Sequence, residues 1–176
     1  MILDSSYWKD DLLKLADKLE RRLIQKRWSE KSFYTLEKEI FLGFFSIRKL
    51  IESNKISESI ATKTYRIYEF PKNKNIESIV SINPKNDFEF GKTTQVDITI
   101  AALCNQFIHS YHFVPFIPEG KALIGFIFCS DYKRKTGIYM MTIFDVVDIY
   151  RQAGNNYPST YSAKRINDQK VVTHVE

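Results

Sequence analysis

Glycine and cysteine are scarce in this chain, and each scarcity removes a class of chemistry. Six glycines in 176 residues supply no Gly-x-Ser-x-Gly elbow, no phosphate-cradling glycine loop and no dinucleotide fingerprint. The two cysteines, Cys104 and Cys129, stand in apolar segments with no second cysteine nearby and no histidine at zinc-site spacing. They read as reduced core thiols, and neither a metal nor another cofactor is implied. Uncharged runs are short: no window of membrane-spanning length lacks a charge, and Met1-Ile2-Leu3-Asp4-Ser5-Ser6 lacks the basic-then-apolar order of a leader. The expectation is a cytoplasmic protein with no membrane partner. Internal repeats, low-complexity tracts and an interdomain linker are also missing.

What is present is globular in composition, with 44% apolar and 27% charged residues. The length suits one domain with a sizeable core. We expect that domain to span residues 1–154 and residues 155–176 to form a polar tail, loosely held or packed on a partner. The net charge of +5 raises the question of nucleic acid. The excess is dispersed, however: Lys9, Lys14, Lys18, Arg21 and Arg22 alternate with Asp10, Asp11, Asp17 and Glu20, the pattern of a solvated helix face.

Apolar spacing predicts the elements. Trp8, Leu12, Leu15, Leu19 and Leu23 recur at helical steps after Ser5 and Ser6, which can cap. Ser29 or Ser32 opens a second helix, whose stripe is Phe33, Leu36, Ile40, Phe44, Ile47 and Ile51, and the two helices form an antiparallel hairpin. Within it Gly43 admits a close neighbour. Ser57 caps a short helix before a strand over Thr64–Phe70, stopped by Pro71. Ile76–Ile82 is the expected partner strand across a turn at residues 72–75, and residues 83–94 form a loop. Thr94 and Asp97 resemble a capping pair that opens a long, mostly buried helix running to Tyr111. Ala122–Cys129 and Gly137–Thr142 read as a β-hairpin, followed by a helix over Asp145–Arg151. The sum is an α+β fold: an N-terminal helical hairpin, a long buried central helix and a small antiparallel sheet.

Chemistry concentrates on Leu103-Cys104-Asn105-Gln106-Phe107-Ile108-His109. Asn105 and His109 share a helical face at i and i+4, with Ala101 and His112 continuing it. This spacing resembles the Arg-Asn-x-x-x-His signature of the HEPN superfamily, helical domains that include metal-independent ribonucleases of toxin and defence systems. The resemblance covers the motif and, loosely, residues 5–112. It implies that His109 is an acid or base at the RNA 2′-hydroxyl or the leaving oxygen and that Asn105 orients it. It also implies paired subunits and a bacterial defence or toxin-antitoxin setting. An imidazole suits proton transfer near neutral pH. Cys104 stands where that family has its phosphate-neutralising arginine, so the cation must come from elsewhere, Arg48 or Lys133-Arg134-Lys135.

Competing assignments exist for each group. Asn105 and His109 can instead tie the helix end to neighbouring backbone. Tyr132, Lys133, Arg134 and Lys135 join a ring to three cations on a hairpin tip, suited to phosphate and a stacked base or simply to water. Asp145 and Asp148, at i and i+3, suit a metal or a solvent face. The leading functional expectation is a non-catalytic or weakly catalytic binding module with a protein or RNA partner, or a homo-oligomer. The alternatives are a metal-independent RNA endonuclease using His109 and a structural subunit of an assembly that hides part of thirteen phenylalanines and ten tyrosines.

Overall fold

The computed structural model of the chain describes residues 2–73, 84–118, 122–166 and 170–176. Helix α1 (Ser6–Arg22) buries Leu12, Ala16 and Leu19 at steps of three and four. Its start is held by Asp4, whose carboxylate accepts from the Ser6 backbone N–H at 2.8 Å and the Ser6 hydroxyl at 2.7 Å. Helix α2 (Glu30–Glu52) is capped by Ser29, whose hydroxyl accepts from the Ser32 N–H, and buries Leu36, Ile40, Phe44, Ile47 and Leu50. The expected stripe is therefore the observed one, with its ends trimmed: Phe33 is exposed and stacks on Trp28 at 5.3 Å. A single turn, α3 (Glu58–Ala61), leads into strand β1 (Thr64–Pro71).

Strand β1 is interior to a five-stranded antiparallel sheet of order β2-β1-β5-β4-β3. Its edges are taken by β2 (Thr94–Thr99) and β5 (Gly137–Thr142). The strand expected over Ile76–Ile82 lies outside the described residues, and β2 and β5 are the partners instead. Residues 84–87 form a short turn of helix, α4.

The central helix foreseen from the pattern is shorter than expected. Residues 94–99 are strand β2, and only Ile100–Ile108 is helical, as the nine-residue α5. Val96, Ile98 and Ile100 lie two apart while Val96 and Ile100 are also four apart, so one apolar set satisfies both periods. The β-branched residues of this stretch decide for strand. Asp97 does not cap a helix; it pairs with Arg66 across β1 at 3.0 Å. Thr99 is the cap, accepting from the Ala102 N–H.

Strands β3 (Ser110–Phe116), β4 (Gly125–Ser130) and β5 complete the sheet, and β4 with β5 forms the expected hairpin. Helix α6 (Ile143–Asn155) begins with a reciprocal capping box between Thr142 and Asp145. It packs chiefly along α1. Gly154 permits that approach, since a Cβ there would stand 2.7 Å from Leu13 Cδ2.

The main core lies between the helices and one sheet face, which presents Tyr65, Ile67, Phe126, Phe128 and Met141. Phe70, Ile127, Cys129 and Ile138 form a smaller cluster with Phe88 on the other face. Beyond α6 the chain is paired: β6 (Tyr161–Ile166) and β7 (Lys170–Val175) form an antiparallel hairpin. Val175 is buried, and His174 Nδ1 lies 2.8 Å from Glu58 Oε2. No helix among the described residues is long and apolar enough to cross a membrane.

Candidate functional site

Helix α5 is the carrier. Its apolar face buries Ile100, Leu103, Cys104 and Phe107, while Asn105 and Ile108 are exposed and His109 is its exposed C-cap. Phe107 fixes the helix between two rings, Phe44 of α2 at 4.1 Å and Phe128 of β4 at 4.4 Å between centroids. That sandwich brings α2 alongside the outward edge of α5.

Arg48 projects there from α2. Its Nη1 donates to Asn105 Oδ1 at 2.7 Å, and its Nε donates to Glu52 Oε1 at 2.6 Å. Lys49 donates to the other Glu52 oxygen at 2.8 Å. The bonds from Lys49 and then Arg48 hold the Glu52 carboxyl down at about 2. Glu52 is thus an anion across the working pH range and keeps the Arg48 fork aimed along α2 toward α5. Of Arg48 and the Lys133-Arg134-Lys135 cations, Arg48 is the one bonded to Asn105.

His109 divides the two assignments made for it. Its backbone is structural: the N–H donates to Asn105 O at 3.1 Å, and its carbonyl accepts from the Asp131 N–H at 3.2 Å. Its ring makes no hydrogen bond among the described residues and is exposed. The Asn105 amide likewise serves Arg48 and not main chain. The residue that does tie α5 to its surroundings is Gln106, whose Oε1 accepts from the Ser130 N–H at 3.2 Å. Nothing in its spacing marks that role, because Ser130 lies 24 residues away.

His112 does not continue the Asn105–His109 face. The helix has ended, and His112 sits on β3 opposite Cys129. Its Nε2 is buried without a hydrogen-bond partner among the described residues, and burial pushes its pKa down, with Asp87 opposing.

The tip residues are partly consumed by the fold. Lys133, Arg134 and Lys135 form a 3-10 turn. Lys133 turns inward, bonded to Glu69 and 4.5 Å above the Tyr139 ring. Arg134 donates to Asp131 at 2.7 Å and lies 4.1 Å over the Tyr111 ring. Lys135 and the widely exposed Tyr132 face outward. Asp145 is engaged in the α6 cap, and Asp148 accepts from Gln152. Among the described residues no group of three His, Cys, Asp or Glu is arranged to hold a metal ion.

Cys104 and Cys129 are free, and both side chains are fully buried. Burial pushes each thiol up to about 12, against a smaller opposing pull from Arg48 on Cys104 and Arg134 on Cys129. At pH 8 the thiolate fraction is then roughly one in ten thousand. We expect a thiol-specific disulfide reagent to label the native chain no faster than it unfolds. Stoichiometric labelling within seconds, without denaturant, would contradict the packing around them.

No protein-family model, no curated protein and no solved structure matches this chain.

Proposed function

We propose that the chain is an RNA-engaging module of HEPN-like character, non-catalytic or weakly catalytic, that acts with a protein or RNA partner in a bacterial defence or toxin-antitoxin setting. The setting rests on the motif resemblance alone. The observation that carries the molecular part is the Arg48 guanidinium bonded to the Asn105 amide, beside an exposed His109 ring at the end of the same helix. Together they offer a fixed cation, an amide and an imidazole to one ligand. A phosphodiester suits that set: the guanidinium faces phosphate oxygens and the imidazole reaches a ribose hydroxyl.

Binding is favoured over turnover for two reasons. Glu52 compensates much of the Arg48 charge, which weakens its ability to stabilise a developing phosphorane. In-line transfer also needs both a base and an acid, and one copy of this site offers a single imidazole. Metal-independent cleavage by His109 is the second reading, favoured by the openness of that ring.

Salt-titrated anisotropy with a labelled single-stranded RNA tests the proposal. The wild-type chain is expected to bind, and Arg48→Ala is expected to lower affinity for all sequences alike and to reduce the slope of log K against log salt by about one. Retention that is absent at low salt, or untouched by Arg48→Ala, sinks the reading. Incubation with RNA in EDTA, beside His109→Ala, separates the two forms: cleavage lost only in the variant makes the chain an endonuclease.

A further inference from the structure

Lys9 has no counter-ion among the described residues. Its side chain is 1% exposed, the most deeply buried charged group among the described residues. Of the other two buried acids or bases among the described residues, Glu39 pairs with Arg22 at 3.3 Å and Asp87 has interactions of its own. Among the described residues Lys9 Nζ makes neither an ion pair nor a hydrogen bond, and it lies 4.0 Å from the centroid of the Tyr157 ring. A cation–π contact offsets only part of the desolvation of an ammonium. Burial and then the like charge of Lys55 both push the Lys9 pKa down.

Both lysines line one cavity of 330 Å³, walled by the start of α1, the end of α2 and the approach to β6. Lys55 is half-buried, and its side chain also lacks an ion pair or hydrogen bond among the described residues. Asp4, whose carboxyl feels the Lys55 charge, spends its carboxylate on Ser6. Hydroxyls of Ser5, Ser159 and Thr160 line the same space. The Ser159 and Thr160 N–H groups are already given to Glu176 O at 2.7 Å, so the hydroxyls are what remain to donate. The exposed Tyr161 ring, with Asn54 and Lys55, also lines a second cavity that reaches Lys49 and Glu52.

We infer that the Lys9–Lys55 cavity is a binding site for the phosphate monoester of a nucleotide. Two lysines and three hydroxyl-bearing residues on one cavity call for a dianion with several acceptor oxygens, which a phosphate monoester supplies and a single carboxylate does not. The base extends along Tyr161, whose ring offers a stacking surface. This site is separate from Arg48, Asn105 and His109 and does not depend on the RNA reading.

Thermal unfolding of the full chain, in a zwitterionic buffer at constant ionic strength, tests it with inorganic phosphate, adenosine 5′-monophosphate and adenosine as probes. Phosphate and the monophosphate are expected to raise the Tm in a concentration-dependent way, the monophosphate at lower concentration, and adenosine to leave it unchanged. Lys9→Met and Lys55→Met are each expected to weaken the monophosphate at least tenfold, and Arg48→Ala to leave its affinity intact. If Lys9→Met fails to fold, Lys55→Met alone carries the comparison. Anisotropy with 5′-phosphorylated and 5′-hydroxyl oligoribonucleotides identifies the source: a preference for the phosphorylated end assigns the site to RNA termini, equal binding to free nucleotides. The inference is overturned by a Tm that phosphate and monophosphate raise no more than sodium chloride does, or by an equal shift in Lys55→Met.

Discussion

Phe107→Ala is expected to cost about 3–5 kcal/mol of folding free energy, the range for removing a buried aromatic ring. The ring is 2% exposed and lies between Phe44 and Phe128, stacked on both, at interplanar angles of 7° and 24°. Its loss takes away the transfer free energy of the side chain and both ring contacts, and the cavity cannot close cheaply because its walls belong to a 23-residue helix and an interior strand. Urea titration reads the effect as a fall in midpoint at unchanged slope. A loss under about 1.5 kcal/mol would mean that α5 is not clamped between helix and sheet as described. Because the same ring sets the distance between α2 and α5, the folded fraction of this variant is also expected to bind RNA as weakly as Arg48→Ala.

Gly43→Ala is the second large effect, and its sign is informative. In an exposed helix interior this change stabilises by roughly 1 kcal/mol. Here a Cβ would lie 2.2 Å from Tyr150 Cζ and 2.3 Å from its hydroxyl oxygen. Tyr150 cannot swing aside: its side chain is fully buried and its hydroxyl donates to Ile40 O at 2.7 Å. Overpacking of this kind costs about 1–3 kcal/mol or more and outweighs the helical gain. In a Tyr150→Leu background the obstruction is gone, and the same substitution is expected to become neutral or stabilising. A double-mutant cycle with no coupling between positions 43 and 150 would reject the contact.

How far the sequence alone reached differs by element. The buried stripes of α1 and α2 were legible because each holds one period over several turns. The role of Gly43 was legible as a close approach, though not that Tyr150, on a helix over a hundred residues away, fills the gap. The start of α5 was hidden by apolar residues that fit two periods at once, and short-range pattern had no means of choosing. At the candidate site, Asn105 and His109 stood out because polar groups on an apolar helix need a reason. Arg48 did not stand out from the other cations, since its bond to Asn105 spans 57 residues. Lys9 passed as one more charge on a solvated face: it sits at a position where α1 meets Tyr157, and only the tertiary structure puts that contact on a helix flank otherwise rich in charge.

The junctions at either end of α5 have a mechanical meaning. Strand β2 passes into the helix between Thr99 and Ile100, and β3 begins at Ser110, with only His109 between it and the last helical position. With no slack at either end, the helix is a short axle seated in two bearings of the sheet, and its rotation is geared to strand register. One residue inserted at the Thr99–Ile100 boundary would turn it by about 100° and point Asn105 away from Arg48. Any ligand that rearranges this corner must therefore move the arginine, because the axle cannot turn.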